Sequence, residues 1–463
     1  MLIRFNVKNV YSFDARENGE SEEFSMIAGK VRIKRNHVYD DGSIKLLKFA
    51  AVYGANAAGK SNLIKAMELM RRIVLIGNGK GCTEKYCKTN IDNQHKPSYF
   101  EMEIMLDNKY YSYGFEIILS ENRLLSEWLV ELYANNSEKV IFERNIDNGK
   151  YKIGGELLKN GLKNKINVYA DDIKNDSSIL FLNIMNKNKK NLYEDYKNAI
   201  CLQKLYVWFK NFLKISYPDQ PLSDYAYMSK ELDKTEEVCK LMSAFDTGIS
   251  KFHMVDVPLE RMKLSFPKHI SRDIEERIER LKIRKKVLAN IAPESLIMRT
   301  RKEFFIVTVY NHNEVKCQTI EFSHSQKNTL FNLNEESDGT VRLLDLLEII
   351  LSSDDKTYVI DELDRCLHPS LSYKFVETFF KIAEKKNIQL IVTTHESRLM
   401  DFDLLRRDEI WFVNKKYNGT SDIYSLEEYN TRFDQKVDKA YLEGRYGGVP
   451  IFNTLFPIEG DNV

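Results

Sequence analysis

The feature that most constrains this chain is the octapeptide at residues 54–61, Gly54-Ala55-Asn56-Ala57-Ala58-Gly59-Lys60-Ser61. Two spaced glycines followed by lysine and serine suit a loop that turns consecutive backbone N–H groups inward around a phosphate, with the field of the following helix adding to the attraction. Such a loop needs a buried strand before it and a helix after it. Phe49-Ala50-Ala51-Val52 is an uninterrupted apolar run, and Leu63, Met67, Met70 and Val74 recur at helical spacing. The candidate nucleotide contacts are therefore Gly54, Asn56, Gly59, Lys60, Ser61 and Asn62. Lys60 is expected to pair with the β- and γ-phosphates, and the Ser61 hydroxyl to ligate magnesium.

The remaining sequence has to complete an α/β core around that unit. A chain of 463 residues, 43% of them hydrophobic, is long enough for two or three lobes. Residues 2–8 alternate as a first strand, and the alternating segments 99–106, 110–119 and 127–132 predict antiparallel strands of a β-rich subdomain beside the loop. Residues 176–290 turn mainly helical, in segments such as 179–185, 196–213 and 229–245. Over residues 270–288 a single stripe carries Ile270, Ile274, Ile278, Leu281 and Leu288. Strands return at 304–310 and 315–322, and helices and strands alternate again from Val341. The expected division is 1–140 for an N-terminal lobe with the phosphate loop, 141–300 for a mainly helical insertion, and 301–463 for a C-terminal lobe that completes the core.

Charge narrows the partners. Lysine plus arginine (69) almost cancels aspartate plus glutamate (68), and a net charge of +1 gives no global footprint for nucleic acid or an anionic membrane. A local patch remains open: residues 268–286 are rich in cations, and Arg277, Arg280, Arg284 and Lys285 define a candidate basic face, the plainer reading being the solvated side of a packed helix. The N-terminal residues alternate like a strand and lack a signal-peptide core, and apolar runs such as 73–76 are too short to span a bilayer, so a cytoplasmic protein is expected. Six cysteines without framework spacing fit a reducing compartment, and Cys82, Cys87 and His95 lack the fourth ligand of a zinc site.

Further residues complete a phosphate-transfer pattern. Thr357-Tyr358-Val359-Ile360 is an apolar strand ending in Asp361 and Glu362. An aspartate at a strand tip suits a magnesium ion held through its waters, and the adjacent glutamate can orient and deprotonate an attacking water. A second apolar strand, 388–394, ends at His395, which would contact the γ-phosphate. Ser337-Asp338-Gly339-Thr340 opens a helix expected over 341–351, where hydroxyl, backbone N–H and helix field make an anion site. An ordinary serine N-cap explains the same residues, and the two readings are compatible. Asp401 and Asp403 superficially suit an acidic nuclease site but sit in the connection to strand 409–413, which makes them structural.

In this order, the phosphate loop, Ser337-Gly339, Asp361-Glu362 and His395 resemble the ATPase heads of the ABC superfamily. The long insertion between Ser61 and Ser337 is similar to the SMC, RecF and OLD branch, and Asn9-Val10-Tyr11-Ser12-Phe13 resembles the N-terminal loop that borders adenine there. Glu336-Ser337-Asp338-Gly339-Thr340, the segment 361–369 and the segment 441–450 look like bacterial ATP-binding proteins of the AbiL, RloA and AriA kind, which are associated with defence against phage. The resemblance implies an α/β ABC-type P-loop head, with a mixed sheet, an antiparallel β subdomain and a helical insertion lobe. It also implies ATP and Mg2+, and a head-to-tail homo-oligomer in which Ser337 and Gly339 of one copy close on the phosphate loop of another. A separately encoded effector such as a nuclease, and a phage trigger protein, belong to the same expectation. Asp338-Gly339-Thr340 departs from the usual Gly-Gly-Gln, and Leu363 to His368 match the D-loop region loosely. The competing reading is a DNA-clamping ATPase of the SMC or RecF type.

Overall fold

Phe49–Tyr53 is buried along its whole length, which requires cover on both faces of its sheet. In the computed structural model this strand lies inside a six-stranded mixed sheet, in the order Leu213–Ser216, Thr357–Ile360, Gln389–Thr393, Phe49–Tyr53, Ile410–Lys415, Ser421–Ser425. The structure describes residues 1–429, 437–442 and 445–446, apart from 134, 136, 156, 160, 190, 221, 223–231, 288–292, 301, 325–328 and 352–355. Leu288 of the expected stripe, Gly444 and residues 447–450 lie outside the described residues.

The chain divides into two compact units. The first comprises Met1–Ile215, Ser353–Leu363 and Phe380–Val463, the second Ser216–Ser352 and Asp364–Phe379. In the first unit, Thr357–Ile360, Gln389–Thr393, Phe49–Tyr53 and Ile410–Lys415 run parallel, and Ser421–Ser425 closes the edge antiparallel to Ile410–Lys415. The register pairs Ile360 with Val392 and Thr393 with Val52, so the carboxyl ends of three strands finish side by side. Phe49–Tyr53 precedes its two neighbours in sequence, and a reversal of strand order of this kind leaves a crevice at the carboxyl edge.

The antiparallel β subdomain is a seven-stranded sheet, ordered Lys150–Ile153, Glu138–Asn145, Arg123–Leu132, Lys109–Ile118, Ser98–Leu106, Leu2–Lys8, Glu22–Ser25. Gln389, fully buried, ties it to the central sheet. Its amide donates to the Leu2 and Leu47 carbonyls at 2.9 and 3.0 Å, and its oxygen accepts from Leu2 N–H at 2.6 Å. A buried amide is tolerated because both of its ends are satisfied. The fold is thus the α/β class read from the sequence. The expected boundary at 140 falls inside Glu138–Asn145, and residues 141–300 supply four further strands besides helices, including Leu213–Ser216.

The second unit holds an antiparallel sheet, Lys251–Asp256, Val315–Ser323, Phe304–Val309, Glu294–Arg299, with Phe331–Asn332 paired to Val315–Ser323. The helix Lys268–Val287 lies on it through Ile274 and Ile278, packed with Met262, Phe305 and Val307. Ile270, expected on the same stripe, is 38% exposed instead and is not part of the cluster that Ile274 and Ile278 join. Two cations of the candidate basic face of this helix are neutralised and a third is withdrawn from solvent. Arg280 pairs with Glu276 at 3.1 Å and Arg284 with Glu294 at 3.4 Å, while Lys285 is buried.

Candidate nucleotide-binding site

The loop at residues 54–61 occupies the turn between Phe49–Tyr53 and the helix Lys60–Ile76. That helix buries Leu63, Met67, Met70 and Val74, the four residues of the apolar stripe. Gly59 stands at φ +117°, where only glycine is comfortable, and a Cβ there would come within 2.8 Å of Ser12 Oγ and overlap the Ser421 hydroxyl. A Cβ at Gly54 would overlap the Val413 carbonyl oxygen. Gly54 is therefore set by close approach, and Gly59 by close approach and torsion together. Ala57 takes φ +62°, a left-handed conformation that costs an L-residue roughly 1–2 kcal/mol, so the loop holds a strained turn.

Lys60 is buried and its ammonium donates to the carbonyls of Gly54 and Ala55 at 2.8 and 3.1 Å, across the mouth of the loop. Asn56 is exposed at the tip. Asn62 donates through Nδ2 to Ser12 Oγ at 2.9 Å, and Ser421 Oγ bonds both Ser12 Oγ at 2.8 Å and the Ala58 carbonyl at 2.6 Å. These bonds brace the outer side of the loop with the N-terminal segment and the edge strand. Tyr441 braces its root: the hydroxyl takes a backbone hydrogen bond from Gly54, and its ring meets Tyr53 and Phe412 with centroids 5.8 and 5.7 Å apart. Burial raises the Tyr441 phenol above its ordinary range, which keeps the hydroxyl protonated.

The two carboxylates emerge beside the loop. Ser61 Oγ donates to Asp361 Oδ1 at 3.1 Å, and Thr393 Oγ1 donates to the same oxygen at 2.6 Å. The Thr393 hydroxyl also accepts from Glu362 N–H at 2.8 Å, and its carbonyl accepts from Leu363 N–H at 3.0 Å. One residue thus fixes the whole turn after Thr357–Ile360, including Glu362 at φ +51°. A left-handed glutamate costs on the order of 1–3 kcal/mol and persists only where its surroundings over-determine it. His395 is exposed just beyond Gln389–Thr393, after Thr394, whose N–H bonds the Val52 carbonyl at 3.2 Å.

This arrangement fits a magnesium nucleotide. The glycines leave space that a Cβ would fill, a buried ammonium faces the loop, and a serine hydroxyl and a carboxylate share a hydrogen bond, a pair of hard oxygen donors of the kind magnesium prefers. Gly54, Asn56, Gly59, Lys60, Ser61, Asn62, Asp361, Glu362 and His395 all gather at one edge of the first unit. Thr393, Ser12, Ser421 and Tyr441 were not singled out by sequence reasoning for these contacts. Thr393 carried a faint signal, a hydroxyl at the tip of an apolar strand, whereas the other three act from 50 or more residues away in sequence, the shortest span being that of Ser12 and Asn62.

Ser337 and Gly339 belong to the second unit. Ser337 is the N-cap of the helix Asp338–Ile350: its hydroxyl accepts from Thr340 N–H at 3.0 Å, and Asp338 pairs with Lys302 at 3.6 Å. A Cβ on Gly339 would lie 2.8 Å from the Cys366 carbonyl oxygen, so the helix start packs directly on the segment that follows the carboxylates. Further along the helix, Asp345 forms a buried ion pair with Arg299 of the neighbouring strand. Cys87 is buried with Sγ 3.2 Å from the Thr89 hydroxyl, and His95 is largely exposed beside Glu121. Asp401 accepts from Asp403 N–H at 2.8 Å, in keeping with a turn.

A protein-family model described as "AAA domain, putative AbiEii toxin, Type IV TA system" matches residues 49–401. That span takes in the loop, the Ser337 turn, Asp361, Glu362 and His395. Solved structures similar to the chain include the SmcHead bound to the C-winged helix domain of ScpA, with 12% identity and a TM-score of 0.40, over 92% of this chain and 99% of that one. The SMC head domain from Thermotoga maritima is 15% identical with a TM-score of 0.33, over 92% and 98% of the two chains. The Smc head domain with an extended coiled coil bound to the C-terminal domain of ScpA, derived from Pyrococcus furiosus, is 13% identical with a TM-score of 0.30, over 96% and 99%. No curated protein matches the chain.

Proposed function

The chain belongs to this AAA-domain family, and from that premise we propose that it is a Mg2+-dependent ATPase whose site is completed by a second copy and whose cycle controls a separately encoded effector in defence against phage. The observation that carries the reading is the chain of contacts Ser61–Asp361–Thr393–Glu362, which brings the proposed magnesium ligands and the candidate base together beside the loop at 54–61. Support for the defence role comes from the family's description, which names an AbiEii toxin and a type IV toxin–antitoxin system.

In this mechanism the N–H groups of residues 54–61 and the N-terminus of Lys60–Ile76 bind the phosphates, and Lys60 swings from its carbonyl partners to the β- and γ-oxygens. Ser61 and Asp361 would hold magnesium, which would supply positive charge to neutralise the phosphates. Glu362 orients a water and takes its proton, and His395 contacts the γ-phosphate. Ser337 and Gly339 of the other copy supply the hydroxyl and backbone N–H that close on the same phosphate.

Lys60→Ala is expected to abolish binding of a fluorescent ATP analogue. Glu362→Gln should keep binding, slow turnover by about 10²–10⁴-fold and accumulate an ATP-dependent dimer in analytical ultracentrifugation. Near-wild-type turnover of Glu362→Gln would place the base elsewhere. Protection in host cells against a broad phage panel, lost on Lys60→Ala, tests the defence role, and capture from infected cells identifies the effector.

A further inference from the structure

The end of the central sheet opposite the phosphate loop carries a second site of opposite design. Phe49–Tyr53 and Ile410–Lys415 are parallel, so residues 406–409 lie one strand length from the loop, roughly 16 Å at 3.3 Å per residue. There, residues 28–35 border a cleft of about 560 Å³ lined by Lys30, Arg32, Arg35, Lys45 and Arg406, with Asp40 as the lining carboxylate. It shares no lining residue with the loop at 54–61.

Two observations separate this cleft from an ordinary solvated surface. First, its backbone is pinned. Gly29 N–H donates to Asp408 Oδ2 at 2.8 Å, Lys30 N–H to Glu427 Oε1 at 3.0 Å, and buried Arg406 donates to the Ile33 carbonyl at 2.9 Å while bonding both oxygens of Asp408 at 2.9 and 2.6 Å. The neighbouring carboxylates are thereby engaged by backbone groups and by Arg406, as Asp40 is by Lys45 at 3.1 Å. Second, Lys30, Arg32 and Arg35 are exposed on that fixed frame, and no carboxylate among the described residues pairs with them. The helix Lys268–Val287 shows the contrast, since its Arg280 and Arg284 both have acidic partners. Clustered like charges repel, and a rigid frame that holds them together without partners is a ready receptor for a multivalent anion.

We propose that this cleft binds a ligand with closely spaced phosphate groups. Its lining holds charge and small aliphatic groups, Ala28, Val31 and Val38, with no aromatic ring to stack a base or to anchor a protein partner. Recognition is of phosphate alone, which suits either a nucleic-acid strand held by its backbone or a free oligophosphate.

The test uses the full chain in EDTA, with a short fluorescein-labelled single-stranded oligonucleotide in anisotropy and inorganic tripolyphosphate in calorimetry. Binding of the oligonucleotide identifies a strand, and binding of tripolyphosphate alone identifies a small ligand. Either should weaken about tenfold or more in Arg32→Glu/Arg35→Glu and persist in Lys60→Ala. For the oligonucleotide, Arg32→Gln/Arg35→Gln should also lower the log–log salt slope by about 1.4, at 0.7 per strand contact. The double charge reversal alters exposed side chains only, and unchanged binding of the fluorescent ATP analogue certifies its fold. Failure of both ligands to bind, wild-type affinity in the charge-reversed variant, dependence on Lys60, or equal competition by polyglutamate would each overturn the proposal.

Discussion

Thr393→Val isolates the residue that joins the two carboxylates to the rest of the site. Valine keeps the shape and burial of a side chain that is 1% exposed, and removes two hydrogen bonds, the 2.6 Å donation to Asp361 and the 2.8 Å acceptance from Glu362 N–H. Loss of a bond to a charged acceptor costs about 1.5–3 kcal/mol, and an orphaned part-buried N–H about 1–3 kcal/mol. Since the pair shares one hydroxyl and Asp361 keeps its bond from Ser61, the sum is smaller than the extremes, and a destabilisation of about 2–4 kcal/mol is expected. The kinetic effect should be more selective. The Leu363 N–H bond to the Thr393 carbonyl survives, so the turn stays in place while Glu362 loses its local anchor and relaxes from φ +51°. A displacement of the base by about 1 Å costs on the order of 10²-fold in turnover. Nucleotide affinity should remain within about threefold, because none of the loop contacts at 54–60 passes through Thr393. Urea denaturation, steady-state hydrolysis and fluorescent-nucleotide binding read the three quantities, and Thr393→Ser, which restores the hydroxyl, should recover most of the turnover. Wild-type turnover in the valine variant, or equal losses in the valine and serine variants, would refute the positioning role.

Two other perturbations probe the frame. Gly54→Ala drives a methyl group into the Val413 carbonyl oxygen, a backbone atom that cannot rotate away, so nucleotide binding should fall at least tenfold and the melting temperature should drop, as thermal denaturation would show. The buried pair His37 and Glu409, 2.9 Å apart, gives stability a defined pH profile. Burial holds the His37 imidazole down at about 3 against an ordinary 6.5, and raises the Glu409 carboxyl well above its ordinary 4.5. Both are neutral in the folded protein, which therefore binds one proton at the pair. The unfolded chain binds two below 4.5, one between 4.5 and 6.5, and none above 6.5. The contribution is thus flat between 4.5 and 6.5, falls on acidification from 4.5 toward 3, and falls on alkalinisation above 6.5 until the raised Glu409 value is reached. Glu409→Gln should flatten the alkaline limb in urea titrations, and an unchanged limb would locate that dependence in other groups.

What the sequence by itself determined was local and periodic. Phe49 to Val52, the stripe Leu63, Met67, Met70 and Val74, and the serine that caps Asp338–Ile350 were legible because burial of alternating or helical faces and satisfaction of helix ends depend on near neighbours. The phosphate loop and the carboxylate pair were legible for the same reason, since each sits on a few consecutive residues at a strand end. The tertiary structure decided everything that depends on partners distant in the chain. Thr393 lies 32 residues from Asp361, and Ser421 lies 409 from Ser12, so their bonds leave no mark in local spacing. Charge shows the limit most plainly: counting cations pointed to Arg277, Arg280, Arg284 and Lys285, of which Arg280 and Arg284 meet carboxylates, whereas among the described residues no carboxylate pairs with Lys30, Arg32 or Arg35. A sequence records how many charges are near one another along the chain, but whether each meets a carboxylate is settled by packing, and it is the unmatched charge that is free to bind.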